Sequence, residues 1–296
     1  MNRISEVIRI PWARAHGLTV YGITVAVLDT GAYPHPDFSE RIAAFKDFEK
    51  GFNRIYDDNS HGTHVCGIIG GDGRMSRGKY CGVAPGCSLL PVKVLDEKGL
   101  GNVKSMLDGI DYILEVRRRY NLRIVNISVG TLGSGNADKF DELIKKVEKM
   151  WDAGLIVVAA AGNEGPGRGT ITIPGTSKKI ITVGAYDDYS YSAMRKRNMS
   201  YYSGRGPTSG CIVKPEIVEP GNSIVSCSAN RAGYSAKSGT SMATPVLSGI
   251  IALLLERYPY MTNKEVKMRL YERAVDLGLP KSRQGWGRIE IDKLIG

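Results

Sequence analysis

The sequence predicts an α/β protein in which a mostly parallel central sheet is covered by helices on both faces. Several short runs rich in β-branched residues are apolar almost throughout, which is typical of strands buried on both faces. Segments with helical periodicity lie between these runs, and alternating strands and helices favour parallel pairing. With 296 residues, of which 42% are hydrophobic, the chain can bury a sizeable core as one domain, residues 1–296.

The predicted elements follow one another in a regular order. Apolar runs predict strands over residues 25–28, 89–95, 124–129, 155–161 and 180–183. Helical periodicity predicts helices over residues 103–119 and 137–153, and residues 241–258 are so rich in apolar and small side chains that we expect a nearly buried central helix. A last helix begins at Thr262, which has the spacing of a capping box with Glu265. No run is long and uninterrupted enough to span a bilayer, so we expect no membrane segment.

The net charge of +10 makes nucleic acid and acidic polypeptides conceivable partners. However, the charges are dispersed through the predicted helices rather than gathered into one tract. The basic runs at residues 117–119 and 195–197 are local exceptions, and we expect them to form solvated faces. We therefore expect no nucleic-acid partner.

The five cysteines are an odd number and lack both a CxxC pair and the regular spacing of a disulfide framework. Free thiols in a reducing compartment fit this pattern best. Residues 1–9 contain no apolar run of signal-peptide length. The sequence therefore predicts a cytoplasmic protein.

The first candidate for a chemical role is Asp29, which ends an apolar strand and is followed by Thr30 and Gly31. A carboxylate at the carboxyl end of a buried strand lies where open α/β sheets build their sites. An aspartate that only starts a turn is the alternative, and it would be the better interpretation if this segment stood alone. Asp29 is therefore a candidate only in combination with other segments.

The second candidate segment is residues 60–67, in which His61 and His64 stand three apart at the start of a predicted helix. Such a pair could bind a metal, but no HExxH pattern or further Cys/His set accompanies it. A single histidine acting as a general base is the stronger hypothesis, because neutral imidazole accepts a proton from an alcohol at physiological pH.

The third segment places Ser241 among glycine and small residues directly before the apolar helix. A serine at a helix N-terminus can be only a cap, but small neighbours leave room for a substrate and the helix N-terminus favours developing negative charge. Residues 159–165 add Asn163 just after another buried strand. A carboxamide N–H at that place is suited to bind the oxyanion of a tetrahedral intermediate.

The segments that contain Asp29, His61, Asn163 and Ser241, in this chain order, resemble the four signature blocks of the subtilisin family. The resemblance runs from about Ile10 to Ile295. Within the family the sequence is most similar to the AprX-type intracellular subtilases, through residues 33–37, 78–85, 151–154 and 203–208. It implies a subtilisin-like three-layer fold and a serine endopeptidase.

The resemblance assigns each residue a role. Ser241 would attack the scissile carbonyl, His61 would take the serine proton and return it to the leaving amine, and Asp29 would orient His61. Asn163 and the backbone N–H of Ser241 would bind the oxyanion. In the family the first histidine of this block is catalytic, so His64 would be structural.

The resemblance also implies that a polypeptide substrate binds as an extended strand between two backbone edges. One edge corresponds to Ser128, Val129 and Gly130, and the other to residues 99–102, which include Gly101. The primary specificity pocket would be formed by Ala160, Ala161, Gly162, Thr172 at its base and Glu164 at its rim. Because Thr172 replaces a smaller residue common in relatives, we expect a pocket of moderate depth that prefers medium apolar side chains.

Calcium sites are common in the family, and Asp37 matches a position that often supplies a ligand. In this chain Arg74, Arg77 and Lys79 occupy the matching loop, and cations repel a divalent ion. We therefore expect that no cofactor is required, with calcium at Asp37 as the weaker alternative.

Only about ten residues precede the first matched position, so we expect a short N-terminal extension and no pro-domain. Either the protein folds unaided, as intracellular relatives do, or a longer precursor has been trimmed. The leading hypothesis is a cytoplasmic endopeptidase of broad to moderate specificity. A narrowly specific processing protease is the main alternative. A catalytically silent binding protein ranks lower, because it would not need all of Asp29, His61, Asn163 and Ser241.

Overall fold

The structure is a computed structural model that describes residues 2–131, 137–188 and 201–296. The basic run at residues 195–197, expected to form a solvated face, lies outside these residues. Nine strands are β1 Thr24–Asp29, β2 Lys46–Asp47, β3 Ser88–Lys93, β4 Leu122–Ile127, β5 Ile156–Ala160, β6 Ile181–Ala185, β7 Ile217–Glu219, β8 Ile224–Cys227 and β9 Tyr234–Lys237, all within the described part. The α-helices described there are α1 Asn2–Val7, α2 Ile10–Ala15, α3 His61–Gly70, α4 Val103–Val116, α5 Ala137–Asp152, α6 Thr240–Arg257, α7 Asn263–Arg273, α8 Lys281–Gln284 and α9 Ile291–Ile295.

The central sheet contains seven strands in the order β2-β3-β1-β4-β5-β6-β7, and each hydrogen-bonded pair is parallel. Every residue of β1, β5 and β6 is buried, which requires cover on both faces of the sheet. Helix α6 packs with α3 and against β4 to β7, while α4 packs with α5. The predicted α/β class with a mostly parallel sheet is therefore confirmed.

Helix α6 is the central helix that the sequence predicts. Its residues from Met242 to Leu255 are all buried, because apolar and small side chains occur on every side of the helix. It carries Ser241 at its N-terminal end and directs that residue to the edge where β1 and β5 end. No helix in the described ranges combines the length and the apolar content needed to cross a membrane.

The helix predicted from Thr262 is present and begins with the predicted capping box. The Glu265 carboxylate accepts the Thr262 backbone N–H at 2.7 Å, and the Thr262 hydroxyl accepts the Glu265 N–H at 3.3 Å. The prediction that it is the last helix is wrong, since α8 and α9 follow it. Helices of four and five residues are too short to show helical periodicity in a sequence.

Three residues of the segment expected as an extension before the domain contribute to the core. Ile4, Ile8 and Ile10 are almost completely buried, and the Ile8 carbonyl accepts the N–H of Ile291 at 3.1 Å. Helix α2 thus packs against the C-terminal helix α9 and also against α1. The resemblance to a family does not by itself reveal this packing.

All five cysteines are free thiols, as the spacing predicts. Four of them are buried, and burial raises the pKa of the Cys66, Cys81, Cys87 and Cys227 thiols. These four side chains are therefore protonated at neutral pH and pack as small apolar groups.

Candidate active site

The candidate site lies where the carboxyl ends of β1 and β5 meet the N-termini of α3 and α6. Asp29 is the last residue of β1, His61 is the first residue of α3 and Ser241 is the second residue of α6. Asn163 follows β5 by three residues. The parallel sheet therefore brings together four residues that are separated by up to 212 positions in the chain (241 − 29).

Asp29 and His61 form a short hydrogen bond. The distance between Asp29 Oδ1 and His61 Nδ1 is 2.7 Å, and Asp29 is fully buried. The same Oδ1 accepts the Thr30 N–H at 2.8 Å, which holds the carboxylate in place. Because the carboxylate is an acceptor, the imidazole donates from Nδ1, and in its neutral form its Nε2 is free to accept a proton.

A glycine allows α3 to begin so close to β1. An added Cβ on Gly62 would lie 2.1 Å from the Gly31 carbonyl oxygen, so no other residue fits here without moving the backbone. The close approach of the turn after β1, which contains Gly31, to the start of α3, which contains Gly62, places the His61 ring beside Asp29. The sequence around the histidine is therefore constrained by the contact between the turns.

The His61 environment favours its protonated form. Burial lowers the pKa of His61, but the neighbouring Asp29 carboxylate outweighs burial, so the pKa is raised above the usual value. The ring remains partly accessible, with 24% of its side-chain surface exposed. His61 can therefore take up a proton that arrives from the cavity and stabilise it as imidazolium.

His64 has a different environment, although it lies only one helical turn away. Its Nε2 donates to the carbonyls of Ile224 and Ser235, both at 3.0 Å, and the residue is fully buried. Burial lowers the pKa of His64 to about 3, so this ring is neutral at physiological pH. It connects α3 to the β8-β9 hairpin and does not face the cavity.

Ser241 and His61 border the same cavity of about 340 Å³. The residue that precedes the helix, Gly239, has a φ of 148°, which lets the chain turn sharply into α6. Within the described ranges the Ser241 hydroxyl has no hydrogen-bond partner. It is therefore available to a molecule bound in the cavity.

The Asn163 carboxamide is oriented by the start of α6. Its Oδ1 accepts the Thr240 backbone N–H at 3.0 Å and the Thr240 hydroxyl at 3.2 Å. With the oxygen occupied in this way, the Nδ2 amide is the group left to donate. Asn163 borders the cavity together with Ser241, so a hydrogen-bond donor and a nucleophile face the same space.

Thr172 forms part of the floor of this cavity. An added Cβ on Gly130 would lie 2.3 Å from Thr172 Oγ1, and one on Gly162 would lie 2.4 Å from Thr172 Cγ2. The threonine side chain thus fills the space between two walls that have no side chains of their own. Other predicted pocket and edge residues border the same cavity: Ser128, Val129, Ala160 and Glu164.

Ala161 differs from its predicted place in the pocket wall. It is fully buried and does not border the cavity, whereas its carbonyl accepts the Thr172 N–H at 3.0 Å. The physical reason is that the chain turns only at Gly162, which has a φ of 92°. Ala161 still continues the packing of β5 and contributes its backbone alone.

A second, smaller cavity of about 220 Å³ adjoins the same backbone edges. Gly99, Gly101 and Asn102 border it on one side, and Val129 and Gly130 border it on the other. Its remaining lining is mainly apolar, from Val94, Leu95, Leu100, Val103, Met106, Leu143, Ile173 and Pro174, together with Thr131. The two predicted edges therefore face each other across a groove that begins at the main cavity.

Asp37, named above for the weaker alternative of a calcium site, is fully buried, and both of its carboxylate oxygens accept protein hydrogen bonds. Oδ1 accepts the Met75 N–H at 3.0 Å, and Oδ2 accepts the Tyr234 hydroxyl at 2.7 Å. The Cys227 thiol donates to the same Oδ2 at 3.6 Å. His35 lies nearby, but its Nδ1 already accepts the Asp37 N–H at 3.2 Å.

The loop beside Asp37 carries its own cation. Arg74 pairs with Asp72 at 2.8 Å and with Glu40 at 3.0 Å. The carboxylates of Asp72 and Glu40 are thus paired with the Arg74 guanidinium. The Asp37 oxygens accept hydrogen bonds from neutral donors. Calcium requires six to eight oxygen ligands, and these residues do not fit it.

The sequence analysis missed a group of polar residues around the histidine. Asp57 accepts hydrogen bonds from Thr30 and Thr63 and from the backbone before His61. The segment from Asp57 to Ser60 has the composition of an ordinary turn, so its residue types alone did not suggest a role. The sequence feature that could have indicated a role is the position of Asp57, four residues before the candidate base His61.

Comparisons with known proteins match nearly the whole chain. A family model described as "Subtilase family" matches residues 21–287. The chain is 40% identical over 268 residues to the serine protease AprX of Bacillus subtilis strain 168, covering 84% of this chain and 60% of AprX. It is 33% identical over 282 residues to the minor extracellular protease Epr of the same strain, covering 95% of this chain and 39% of Epr. The structure of sphericase matches with a TM-score of 0.78 at 31% identity, covering 92% of each chain.

Proposed function

The chain belongs to the subtilase family, and from that premise we propose that it is a serine endopeptidase acting through Ser241, His61 and Asp29. The observation that carries the proposal is the 2.7 Å Asp29–His61 hydrogen bond beside a cavity that Ser241 and Asn163 also border. A buried carboxylate, an oriented imidazole and a free hydroxyl are the groups that acyl transfer requires. Polypeptides are the proposed substrates.

In this proposal Ser241 Oγ attacks the scissile carbonyl while His61 Nε2 takes its proton. The imidazolium then protonates the leaving amine, and the acyl-enzyme is hydrolysed by a water molecule that His61 activates in the same way. Asp29 holds the His61 tautomer that has a free Nε2 and stabilises the imidazolium. The raised pKa of His61 supports this part of the mechanism.

The oxyanion is bound by the Asn163 Nδ2 amide and the backbone N–H of Ser241. The α6 N-terminus adds a favourable partial positive charge at the same place. Because Asn163 Oδ1 is held by Thr240, little reorganisation is needed when negative charge develops on the substrate oxygen.

Replacing Asn163 by alanine is expected to lower kcat by about 10² to 10³-fold, the loss seen when the corresponding donor is removed from subtilisin. KM should change little, because the hydrogen bond forms mainly in the transition state. Steady-state kinetics on a fluorogenic peptide measure both constants, and thermal unfolding controls for the lost Thr240 contact. A large rise in KM at constant kcat would place Asn163 in ground-state binding instead.

Substrate specificity is proposed to depend on Thr172. Replacing Thr172 by alanine makes the specificity pocket between Gly130 and Gly162 deeper. For the substrate residue whose carbonyl is attacked, the ratio of kcat/KM with phenylalanine to kcat/KM with valine should therefore rise about tenfold. Thr172→Val is the matched control, since it keeps the volume and removes only the hydroxyl. A peptide library gives the ratios, and an unchanged preference in the alanine variant would contradict this role.

We propose that no metal cofactor is required and that the enzyme works in a reducing compartment such as the cytoplasm. The hydrogen bonds that both Asp37 carboxylate oxygens accept from neutral donors support the first point, and the five free thiols support the second. Polypeptide partners are favoured over nucleic acid because the site is a groove bordered by backbone edges and apolar side chains.

The function is tested by hydrolysis of casein and of a broad fluorogenic peptide library. The proposal predicts cleavage that phenylmethylsulfonyl fluoride abolishes and a calcium chelator leaves unchanged. Cleavage that is lost with the chelator but resists the sulfonyl fluoride would contradict it. Cleavage of very few sequences would favour the narrowly specific processing protease within the same mechanism.

A further inference from the structure

Asp57 lies outside the three proposed catalytic residues, yet its carboxylate accepts five hydrogen bonds. Oδ1 accepts the Thr30 hydroxyl at 2.9 Å and the backbone N–H groups of Asn59 and Ser60 at 3.0 and 2.9 Å. Oδ2 accepts the Thr63 N–H at 2.9 Å and the Thr63 hydroxyl at 2.5 Å. All five donors belong to the two segments that carry Asp29 and His61.

The Thr30 hydroxyl completes a connection between these segments. It donates to Asp57 and accepts the Gly62 N–H at 2.9 Å. Thr30 directly follows Asp29, and Gly62 directly follows His61. The Asp57–Thr30 pair therefore fixes the backbone on the C-terminal side of both members of the 2.7 Å Asp29–His61 contact.

Asp57 also replaces the missing cap of helix α3. The N-cap residue Ser60 makes no side-chain capping bond and has a φ of 76°. The first backbone N–H groups of a helix have no partner within it, and here Asp57 accepts those of Ser60 and Thr63. A negative charge at this end of the helix is also favoured by the helix dipole.

We propose that Asp57 is a positioning residue that holds His61 against Asp29 as the charged acceptor of these hydrogen bonds. This inference rests on the proposed endopeptidase function. Asp57 touches neither the substrate groove nor the reacting atoms, since it does not border either cavity. It acts through Thr30, Thr63 and the backbone of the turn.

The charged groups around His61 determine the sign of the electrostatic effect. Burial lowers the pKa of His61 and the Asp29 carboxylate raises it, while Lys237 on β9 lowers it and Asp57 raises it. Lys98 and Glu164 border the cavity, and His64 is neutral. Removing the Asp57 charge therefore lowers the His61 pKa, so the neutral base persists to lower pH.

The test is Asp57→Asn in the full chain, with Asp47→Asn as the matched control. Asp47 accepts four hydrogen bonds, from the N–H groups of Glu49, Lys50 and Phe52 and from the Tyr56 hydroxyl, without contacting the His61 segment. Asparagine keeps the size of each side chain but loses charge and one acceptor.

We expect Asp57→Asn to lower kcat at the pH plateau by about 10 to 100-fold with little change in KM. The reason is that even a small displacement of the His61 ring slows the proton transfer from Ser241. The acid limb, which is the fall of kcat/KM at low pH as His61 becomes protonated, should move to lower pH by about half a unit. Asp47→Asn should change neither. An Asp57→Asn enzyme with the plateau and the acid limb of the wild type would overturn the inference.

Two further measurements separate this inference from folding and from the proposed function. Thr30→Val removes the hydroxyl link but not the charge, so it should lower kcat without moving the acid limb. NMR titration of the His61 ring should show a lower pKa in Asp57→Asn whether or not any substrate is cleaved. A wild type without activity would reject the endopeptidase proposal, while an unchanged His61 titration would reject the role of Asp57.

Discussion

Replacing Ser241 by alanine is expected to lower kcat by about 10⁶-fold, the order of loss that follows removal of the nucleophile in subtilisin. The physical reason is that alanine has no oxygen to form the acyl-enzyme, and water must then attack without covalent catalysis. The hydroxyl has no partner among the described residues, so its removal leaves no buried group unsatisfied and should hardly change stability. Peptide hydrolysis and thermal unfolding of the purified variant measure both effects.

Ser282→Ala is the matched control for this prediction, because Ser282 lies on α8 and borders neither cavity. It should hydrolyse peptides at the wild-type rate. Retention of more than about one hundredth of the wild-type kcat by Ser241→Ala would contradict the assignment of the nucleophile. A contaminating protease is excluded by purifying all variants in parallel.

Asp29→Asn is expected to lower kcat at neutral pH by about 10⁴-fold, as in other enzymes with this triad. Asp29 Oδ1 accepts both the Thr30 N–H and the His61 Nδ1–H. An asparagine that places its amide toward His61 would donate to Nδ1, which leaves the proton on Nε2. The imidazole would then face Ser241 as a donor, and it could not accept the serine proton.

The Asp29→Asn prediction is checked by kcat between pH 6 and 10 and by NMR of the His61 ring nitrogens. The variant should lose the raised pKa of His61, because the carboxylate that opposes burial is gone. Asp108→Asn, at a partly exposed position on α4, is the control for loss of one negative charge. A variant with near wild-type kcat and a protonated Nδ1 would show that Asp29 does not set the tautomer.

The sequence predicts the parts of the fold whose burial is uniform along an element. Strand β1 and helix α6 are apolar on every side, so their sequence pattern reports their environment directly. The hairpin β8-β9 was missed, since the residues of β9 are mostly half-buried and alternate weakly. The two-residue strand β2 is formed only through its pairing with β3, and such a contact leaves no local pattern.

In the candidate site, too, the sequence predicts the residues that lie in distinctive local patterns and misses those whose role depends on the folded path of the chain. Asp29 ends a strand, His61 and Ser241 lie at the starts of helices, and Asn163 follows a strand by three residues. Each of the four lies in a block of distinctive residues. Asp57 acts through hydrogen bonds to backbone groups, and these depend on the three-dimensional path of the turn. The burial of Ala161 likewise follows from where the chain turns after β5.

Covalent labelling with a fluorophosphonate such as diisopropyl fluorophosphate, followed by peptide mass mapping, identifies the nucleophile directly. We expect one label per chain, carried by Ser241, and full loss of peptide hydrolysis at complete labelling. Asp29→Asn should react far more slowly because its base cannot accept the serine proton. Hydrolysis that continues after Ser241 is fully labelled, or inactivation by a label on another residue, would show that Ser241 is not the nucleophile.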